Sequence, residues 1–360
     1  MGGTGSTART APGAGPALTP PACAAIVAVA AVLAYLTSFQ GAFQLDDYKV
    51  ILSDPAALSW SGWIADLGRG IRPLLKLSYV ITWATGLGLF GFHLVNLLIH
   101  AGASILALGI ARRLMETAAP GNTGAGLPAA LFAALLFALH PIQTEAVTYV
   151  SGRSSSLMAL LYLASLAAYI TGRVERRPLF THALSPALFL LALAVKETAA
   201  TLPAALLLWE TTRPDRTVPL REAIRSQAVH WAVAALGLAA LAATPGHRFL
   251  LAYSFGLRSV CDNLLSQIHG QVTLHSHYLL PGRLTFDPDL PVVSGWSRRL
   301  ALEAALLAAA LAAGLWNRAR RPLVSFAILW VFLHSAAVYA AVPRTDILNE
   351  RHLYLGGFGL

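Results

Sequence analysis

Apolar residues in this chain form long runs separated by short polar segments, along almost its whole length. A helix needs about 20 mainly apolar residues to cross a bilayer, and most of the runs approach that length once their flanks are included. The pattern therefore predicts an all-α, polytopic transmembrane helical bundle. The runs cover residues 24–39, 93–110, 127–139, 156–170, 184–210, 229–243, 300–315 and 323–341.

Arginine clusters between the runs give the predicted helices a direction. Cytoplasmic loops of membrane proteins carry an excess of Lys and Arg, so each cluster is expected at the cytoplasmic side. The clusters lie at residues 112–113, 173–177, 213–225 and 318–321. Alternation between them predicts about nine spans. A tenth begins at Leu353, too near the end of the sequence to cross, so the sequence is expected to be a fragment.

The run at 184–210 holds Lys196 and Glu197 in its middle. A single helix would place this ion pair at mid-bilayer at a cost of several kcal/mol, and it would also separate two arginine clusters that should share one side. Two short helices with the pair at an outer tip avoid both problems.

Polar segments complete the predicted organisation. The stretch 73–90 is expected to lie in the membrane interface, because a span there would move Arg112 and Arg113 outside. The predicted parts are a disordered tail at 1–21, rich in Gly, Ala, Pro and Thr, one transmembrane domain at 22–360, and outer loops at 40–91 and 245–297.

Composition supports the membrane interpretation, and it argues against a soluble domain and against nucleic-acid binding. Of 360 residues, 56% are apolar and 12% are charged, which leaves too few charges to cover a soluble domain. The net charge of +9 comes mostly from the arginine clusters, so it predicts orientation rather than nucleic-acid binding. Cys23 and Cys261 show no zinc spacing or disulfide framework.

The remaining unusual polar residues fall on the predicted outer side, mostly at helix ends. Charged groups at membrane depth are costly unless they face a cavity or a partner, so this grouping predicts a polar site at the outer face. Its members are Asp46, Asp47, His140, Glu145, Arg153, Lys196, Glu197, Asp287, Asp289, Arg344, Asp346, Glu350, Arg351 and His352.

The pair Asp46–Asp47, directly after the first run, is the sharpest local feature. Neighbouring carboxylates suit general-base catalysis, because repulsion and burial raise one pKa. They also suit a divalent cation, although no ligand spacing demands one, and an ordinary helix-ending turn would contain them too. His140, Glu145 and Arg153 add imidazole, carboxylate and guanidinium groups between two spans, and residues 349–354 repeat that chemistry.

As an ordered set, these segments resemble the GT-C glycosyltransferases, in the branch that holds the TMTC-type O-mannosyltransferases and their bacterial relatives. The resemblance extends from about residue 25 to residue 360. The matching pieces are Phe43–Asp47, Arg72–Leu75, Gly91–His100, His140–Val147, Gly152–Arg153, Lys196–Glu197 and Glu350–Leu355.

The resemblance implies an enzyme that moves a sugar, such as a mannose-like hexose, from a polyprenyl- or dolichyl-phosphate donor to a hydroxyl of a protein or glycan. It implies Asp46 as the catalytic base with Asp47 beside it, without separating the two, and Arg153, Lys196, Arg351 and His352 as candidates to stabilise the phosphate. Implied substrate-binding residues are Arg72, His140, Glu145, Arg153, Lys196, Glu197, Glu350, Arg351, His352 and Tyr354.

This chain departs from the family pattern at three points. Family members carry an acid shortly after the Gly-Arg pair, where this chain has Ser154, Ser155 and Ser156. Gly356 stands where a proline is common, and the 34-residue tetratricopeptide period of TMTC-type proteins is absent from the sequence. These differences weaken the inferences about an acidic group on this helix and about the acceptor.

Two other functions fit the composition. One is a transporter or flippase of a lipid-linked or anionic substrate, and the other is a membrane assembly subunit without activity. No internal repeat supports transport. The protein is expected to be an integral multi-pass membrane protein, with the bacterial plasma membrane favoured over the endoplasmic reticulum membrane. No nucleic-acid partner is expected.

Overall fold

The computed structural model describes residues 18–118, 123–213, 218–286, 288–335 and 337–359. Within these ranges the chain is helical and has no β-strand. Most of the predicted disordered tail lies outside them, and the first helix begins at Pro20 after the capping side chain of Thr19. The helices are α1 (Pro20–Ala34), α2 (Pro55–Leu58), α3 (Trp60–Asp66), α4 (Pro73–Ala84), α5 (Gly88–Ala118), α6 (Thr123–Leu139), α7 (Thr144–Thr148), α8 (Arg153–Val174), α9 (Ser185–Val195), α10 (Leu202–Thr212), α11 (Leu220–Ser226), α12 (Ala228–Ala243), α13 (Pro245–Leu257), α14 (Val260–Leu279), α15 (Arg298–Trp316), α16 (Pro322–Ser335) and α17 (Ala337–Ala341).

Several helices in the described ranges are long and apolar enough to cross a membrane. They number five, or up to seven if two bent helix pairs each count as one span. The prediction of a multi-pass, all-α membrane protein is confirmed. The number of about nine spans is larger than this count and stays a prediction. Much of the difference lies in α9 and α10, of 11 residues each. Such a helix rises about 17 Å, against a hydrocarbon core of about 30 Å.

The predicted helix break at Lys196 and Glu197 is present. Helix α9 ends because Lys196 has an extended backbone, with φ −158° and ψ 134°. Lys196 contacts Ser155 near the start of α8, whereas Glu210 near the end of α10 contacts Arg173 near the end of α8. The two short helices therefore run in opposite directions along α8, with the charged pair at their tip.

The basic clusters meet at one end of the bundle. Arg113 lies 2.5 Å from Glu175, and Arg173 lies 2.7 Å from Glu210. The tip between α9 and α10 lies at the opposite end, together with Asp46–Asp47. We call these the basic end and the site end. The pairs Asp46–Asp47 and Lys196–Glu197 therefore lie at the end opposite the arginine clusters, whereas Glu175 and Glu210 at the basic end are paired with arginines.

The interior of the bundle fixes the axis of α8. Tyr162 of this helix is fully buried, meets the rings of Trp330 and His334 of α16 edge-on, and forms a 2.9 Å hydrogen bond with the His334 imidazole. Aromatic pairs of this kind add about 0.5–1.5 kcal/mol beyond the area they bury. Since α8 begins at Arg153, this packing also fixes the residues that α8 presents at the site end.

Candidate active site

The neighbouring carboxylates Asp46 and Asp47 have different surroundings. Asp47 is completely buried, and its oxygens accept hydrogen bonds from the Ser151 backbone N–H at 2.8 Å, the Ser151 hydroxyl and the Gln44 backbone N–H at 3.0 Å. Burial raises the pKa of Asp47, and these hydrogen bonds oppose the rise. Asp47 therefore joins the first loop to the start of α8, and its acceptor sites are already occupied.

The Asp46 carboxylate is open by contrast, with 60% of its side chain exposed. Its backbone N–H donates a 2.8 Å hydrogen bond to the Tyr149 hydroxyl. Burial and the two nearby carboxylates raise the pKa of Tyr149 to about 12, so this hydroxyl keeps its proton. The nearest cation is the Arg351 guanidinium, 3.9 Å from the Asp46 carboxylate.

The segment between α6 and α8 turns tightly to bring Glu145 beside Arg351. Gly152 makes the turn possible, because a Cβ there would lie 2.4 Å from the Glu145 carbonyl oxygen. The Glu145 carboxylate is buried, accepts a 2.8 Å hydrogen bond from the Arg351 backbone N–H, and lies 3.3 Å from the Arg351 guanidinium. The Arg351 guanidinium also lies over the Tyr149 ring at 5.6 Å.

A second charged group surrounds the tip between α9 and α10. Glu197 binds Arg72 through contacts of 2.9–3.2 Å and Arg344 at 2.9 Å. Burial alone would raise the pKa of Glu197, but the two guanidiniums hold it well below its usual range. Arg72 has φ 55°, a left-handed conformation that costs roughly 1–3 kcal/mol and is common at functional sites.

Lys196 lies in the same group without a carboxylate in contact. It is buried, and its ammonium donates a 2.9 Å hydrogen bond to the Ser155 hydroxyl. Burial, with Arg344 and Arg72 nearby, lowers the pKa of Lys196 well below its usual range. Ser155 is the middle residue of the triple serine at 154–156, so the group facing Lys196 is a neutral hydroxyl.

Two connected cavities open at this end of the bundle. The cation pocket, of about 180 Å³, is lined by five cationic side chains but only two carboxylates; the charged residues are Arg72, Lys76, Lys196, Arg344, Arg351, Asp46 and Asp54. The apolar groove, of about 710 Å³, shares Asp46, Arg72, Arg344 and Arg351 with it and extends along α12 and α13, past Leu238, Leu241, Ala242, Leu250 and Leu251. The apolar groove thus ends at the cations and at Asp46.

The structure gathers some of the predicted site residues and separates others. Asp46, Arg72, Glu145, Lys196, Glu197, Arg351 and His352 line the cation pocket, the apolar groove or a third cavity beside Asp46.

Four predicted substrate-binding residues line none of these cavities. The His140 ring stacks on Tyr278 at 3.9 Å, Glu350 accepts the Thr285 backbone N–H at 2.8 Å, and the Tyr354 hydroxyl bonds His100 in the interior. Arg153 is fully buried between helices.

Sequence reasoning did not single out Lys76, Ser151, Ser154 or Asn349, which line these cavities. Ser151 and Ser154 flank the Gly152–Arg153 pair, so their position beside that motif was the available signal. Among the described residues, no group of three or more His, Cys, Asp or Glu side chains could hold a metal ion.

Replacing Glu197 with glutamine is expected to destabilise the fold by about 1–3 kcal/mol at neutral pH, because two guanidiniums lose their shared counter-charge. The folded-state pKa of Glu197 is lowered, so its contribution is fully present above the unfolded value of about 4.3 and is lost as pH falls through the folded value. Thermal unfolding from pH 3 to 7 measures this difference. Glu116→Gln is the control, since Glu116 faces Arg112 at the exposed basic end. Equal melting temperatures for the wild type and Glu197→Gln at pH 7 would contradict the expectation.

No family model and no solved structure matches this chain. Human protein O-mannosyl-transferase TMTC1 is 33% identical over 168 residues, which cover 42% of this chain and 18% of that protein. Mouse protein O-mannosyl-transferase TMTC4 is 33% identical over 175 residues, 43% of this chain and 24% of that protein. Drosophila melanogaster Tmtc1, also a protein O-mannosyl-transferase, is 33% identical over 186 residues, 48% of this chain and 20% of that protein.

These identities confirm the resemblance seen in the motifs. Over about two fifths of its length, the chain is homologous to TMTC protein O-mannosyl-transferases. The chain spans less than a quarter of the length of these relatives.

Proposed function

We propose that this chain is a membrane glycosyltransferase that moves a hexose from a polyprenyl-phosphate donor to a hydroxyl group on a protein or glycan. The observation that carries the proposal is the apolar groove, which ends at the cation pocket and at the open carboxylate of Asp46. A lipid phosphate has a long apolar chain joined to a dianionic head, and this pair of cavities offers apolar surface followed by positive charge. The relatives are protein O-mannosyl-transferases, which favours mannose as the sugar and a protein as the acceptor.

The positions of Asp46 and the neighbouring arginines suggest how sugar transfer proceeds. The acceptor oxygen forms a bond to the anomeric carbon while the bond from that carbon to the phosphate oxygen breaks, and the lipid phosphate leaves as an anion. Asp46 takes the acceptor proton, which is general-base catalysis. Arg351, with Arg344 and Arg72, stabilises the charge on the departing phosphate. Attack opposite the leaving group inverts the anomeric configuration.

The arginine distribution supports an extracytoplasmic site. The arginine clusters gather at the basic end, which the positive-inside rule assigns to the cytoplasm, and Asp46 lies at the opposite end. The polar groups also gather at that one end instead of following a path through the bundle, which favours an enzyme over a transporter. Donor movement across proteoliposomes without sugar transfer would instead support transport.

The test uses the protein in lipid nanodiscs with radiolabelled polyprenyl-phosphate mannose and Ser/Thr peptides. We expect labelled peptide and free lipid phosphate in equal amounts. An apolar side chain in the apolar groove should strengthen the binding of a donor with a long lipid chain, since burying a leucine contributes about 1.5–3 kcal/mol. Leu241→Gln should therefore raise KM for a long-chain donor about tenfold or more, and it should change KM for a short-chain donor little.

Leu236 supplies the control for that variant, because it lies on the same helix, is 71% exposed and does not line the apolar groove. Leu236→Gln should leave both KM values unchanged. Absence of labelled product with every acceptor would refute the proposed function. Equal effects of the two glutamine variants would refute the assignment of the apolar groove to the lipid chain.

A further inference from the structure

A third cavity, of about 190 Å³, opens on the other side of the loop that carries Asp46. We call it the side pocket. It shares Asp46 and Arg351 with the cation pocket and the apolar groove, and the groups that distinguish it from those two are Leu45, Glu145, Tyr149 and Phe286. Asp346 and Asn349 complete its lining, and both also line the apolar groove. The Asp46 carboxylate therefore faces the donor cavities and the side pocket together.

We propose that the side pocket receives the acceptor, and that it favours a peptide whose hydroxyl residue has a basic neighbour. This inference rests on the proposed function, because a transferase that uses Asp46 as its base must bring the acceptor hydroxyl to the same carboxylate. With the donor phosphate held among the cations, the side pocket is a cavity beside the same carboxylate from which a hydroxyl can reach Asp46.

The walls of the side pocket suit a peptide. The rings of Tyr149 and Phe286 meet edge-on at 5.1 Å, and both Phe286 and Leu45 are exposed at the mouth. Leu45 has φ 42°, and a leucine in this left-handed conformation costs roughly 1–2 kcal/mol. Exposed apolar side chains beside a polar floor are the arrangement expected for a bound chain segment.

An unfilled acceptor atom lies on the pocket floor. Glu145 is only 4% exposed, and its Oε1 accepts no hydrogen bond from the described residues, although the Arg351 guanidinium is 3.3 Å away. Buried polar atoms are normally hydrogen-bonded. Since this oxygen is itself buried and faces the Arg351 guanidinium, Glu145 holds Arg351 at the edge of the side pocket.

The negative charge of the side pocket disfavours peptides with an acidic residue beside the acceptor hydroxyl. Three carboxylates, Asp46, Glu145 and Asp346, line it with a single guanidinium. Arg351 balances Glu145, whereas exposed Asp346 accepts a 2.8 Å hydrogen bond from the Asn349 side-chain amide and interacts electrostatically with the Arg258 guanidinium. A lysine or arginine beside the acceptor hydroxyl would meet Asp346, and an acidic or phosphorylated neighbour would be repelled. Partly exposed ion pairs of this kind contribute up to about 1 kcal/mol, roughly a fivefold change in affinity.

The experiment compares two fluorescent peptides that differ only at the residue beside one serine, lysine in one and glutamate in the other. Binding to the wild-type protein in nanodiscs and kcat/KM for sugar transfer are both measured. We expect the lysine peptide to be favoured about fivefold in each. Asp346→Asn should remove most of that preference, and Phe286→Ala should raise KM for both peptides about tenfold with kcat nearly unchanged. Asp262→Asn is the control, since Asp262 contacts Ser259 away from the side pocket and should preserve the preference.

The outcomes separate this inference from the proposed function. Sugar transfer that proceeds with no lysine preference, or with KM unaffected by Phe286→Ala and Asp346→Asn, would overturn the acceptor assignment and leave the transferase standing. A wild type that transfers no sugar would overturn the proposed function. Peptide binding without a charge preference in that protein would overturn the side-pocket assignment as well.

Discussion

Replacing Asp46 with asparagine is expected to lower the rate of sugar transfer by about 10²–10⁴-fold, the usual contribution of a positioned general base. Asparagine keeps the shape of the side chain but cannot accept the acceptor proton. The loop should keep its conformation, because its contact with Tyr149 is made by the Asp46 backbone N–H. We therefore expect kcat to fall while binding of polyprenyl phosphate and the melting temperature stay near their wild-type values. Steady-state kinetics, lipid-phosphate binding and thermal unfolding in nanodiscs measure the three quantities.

Asp47→Asn should behave differently. Asp47 is buried and accepts hydrogen bonds from Gln44 and Ser151, so its loss should lower the melting temperature and displace the loop, reducing kcat indirectly. Asp262→Asn controls for the same substitution at the site end. Full activity in a double variant with both Asp46 and Asp47 neutralised would show that neither carboxylate is the base.

Much of the helical framework could be predicted from the sequence, because it depends on local composition. The break at Lys196–Glu197 followed from the cost of an ion pair at mid-bilayer. The placement of the arginine clusters at one end followed from the positive-inside rule, which does not sort acidic residues. The number of spans stays a prediction, since an apolar run shows hydrophobicity but not whether a helix such as α9 crosses alone.

The site was harder to predict, because its members are distinguished by burial and long-range contacts. Asp46 and Asp47 have identical chemistry in the sequence, and they are separated by the burial of Asp47 and its contact with Ser151, 104 residues further along the chain. His140 and Tyr354 stand in motif-like segments, yet one stacks on Tyr278 and the other lies in the interior. Charge and motif identify candidates, whereas exposure to the cavity decides among them.

Arg153, which the motif predicts to bind substrate, instead holds helices together. Its guanidinium donates to Asn96 Oδ1 at 2.6 Å, to Thr82 Oγ1 at 2.9 Å and to the carbonyl oxygens of Ser78 and Phe92 at 3.1 Å. These partners lie on α4 and α5. The Asn96 amide in turn donates to carbonyl groups of the segment that carries Glu145 towards α8, those of Val147, Tyr149 and Val150. Arg153 thus joins three helices below the site.

Replacing Arg153 with methionine is therefore expected to destabilise the protein by about 3–5 kcal/mol, since it leaves several buried acceptors without a donor. The expected fall in melting temperature in nanodiscs is on the order of 10 °C. Arg299→Met is the matched control, because Arg299 is 76% exposed and pairs with Glu303 in a surface contact that should contribute less than about 1 kcal/mol. A variant that melts like the wild type but no longer binds polyprenyl phosphate would contradict this role, and it would return Arg153 to the substrate-binding group that its motif predicts.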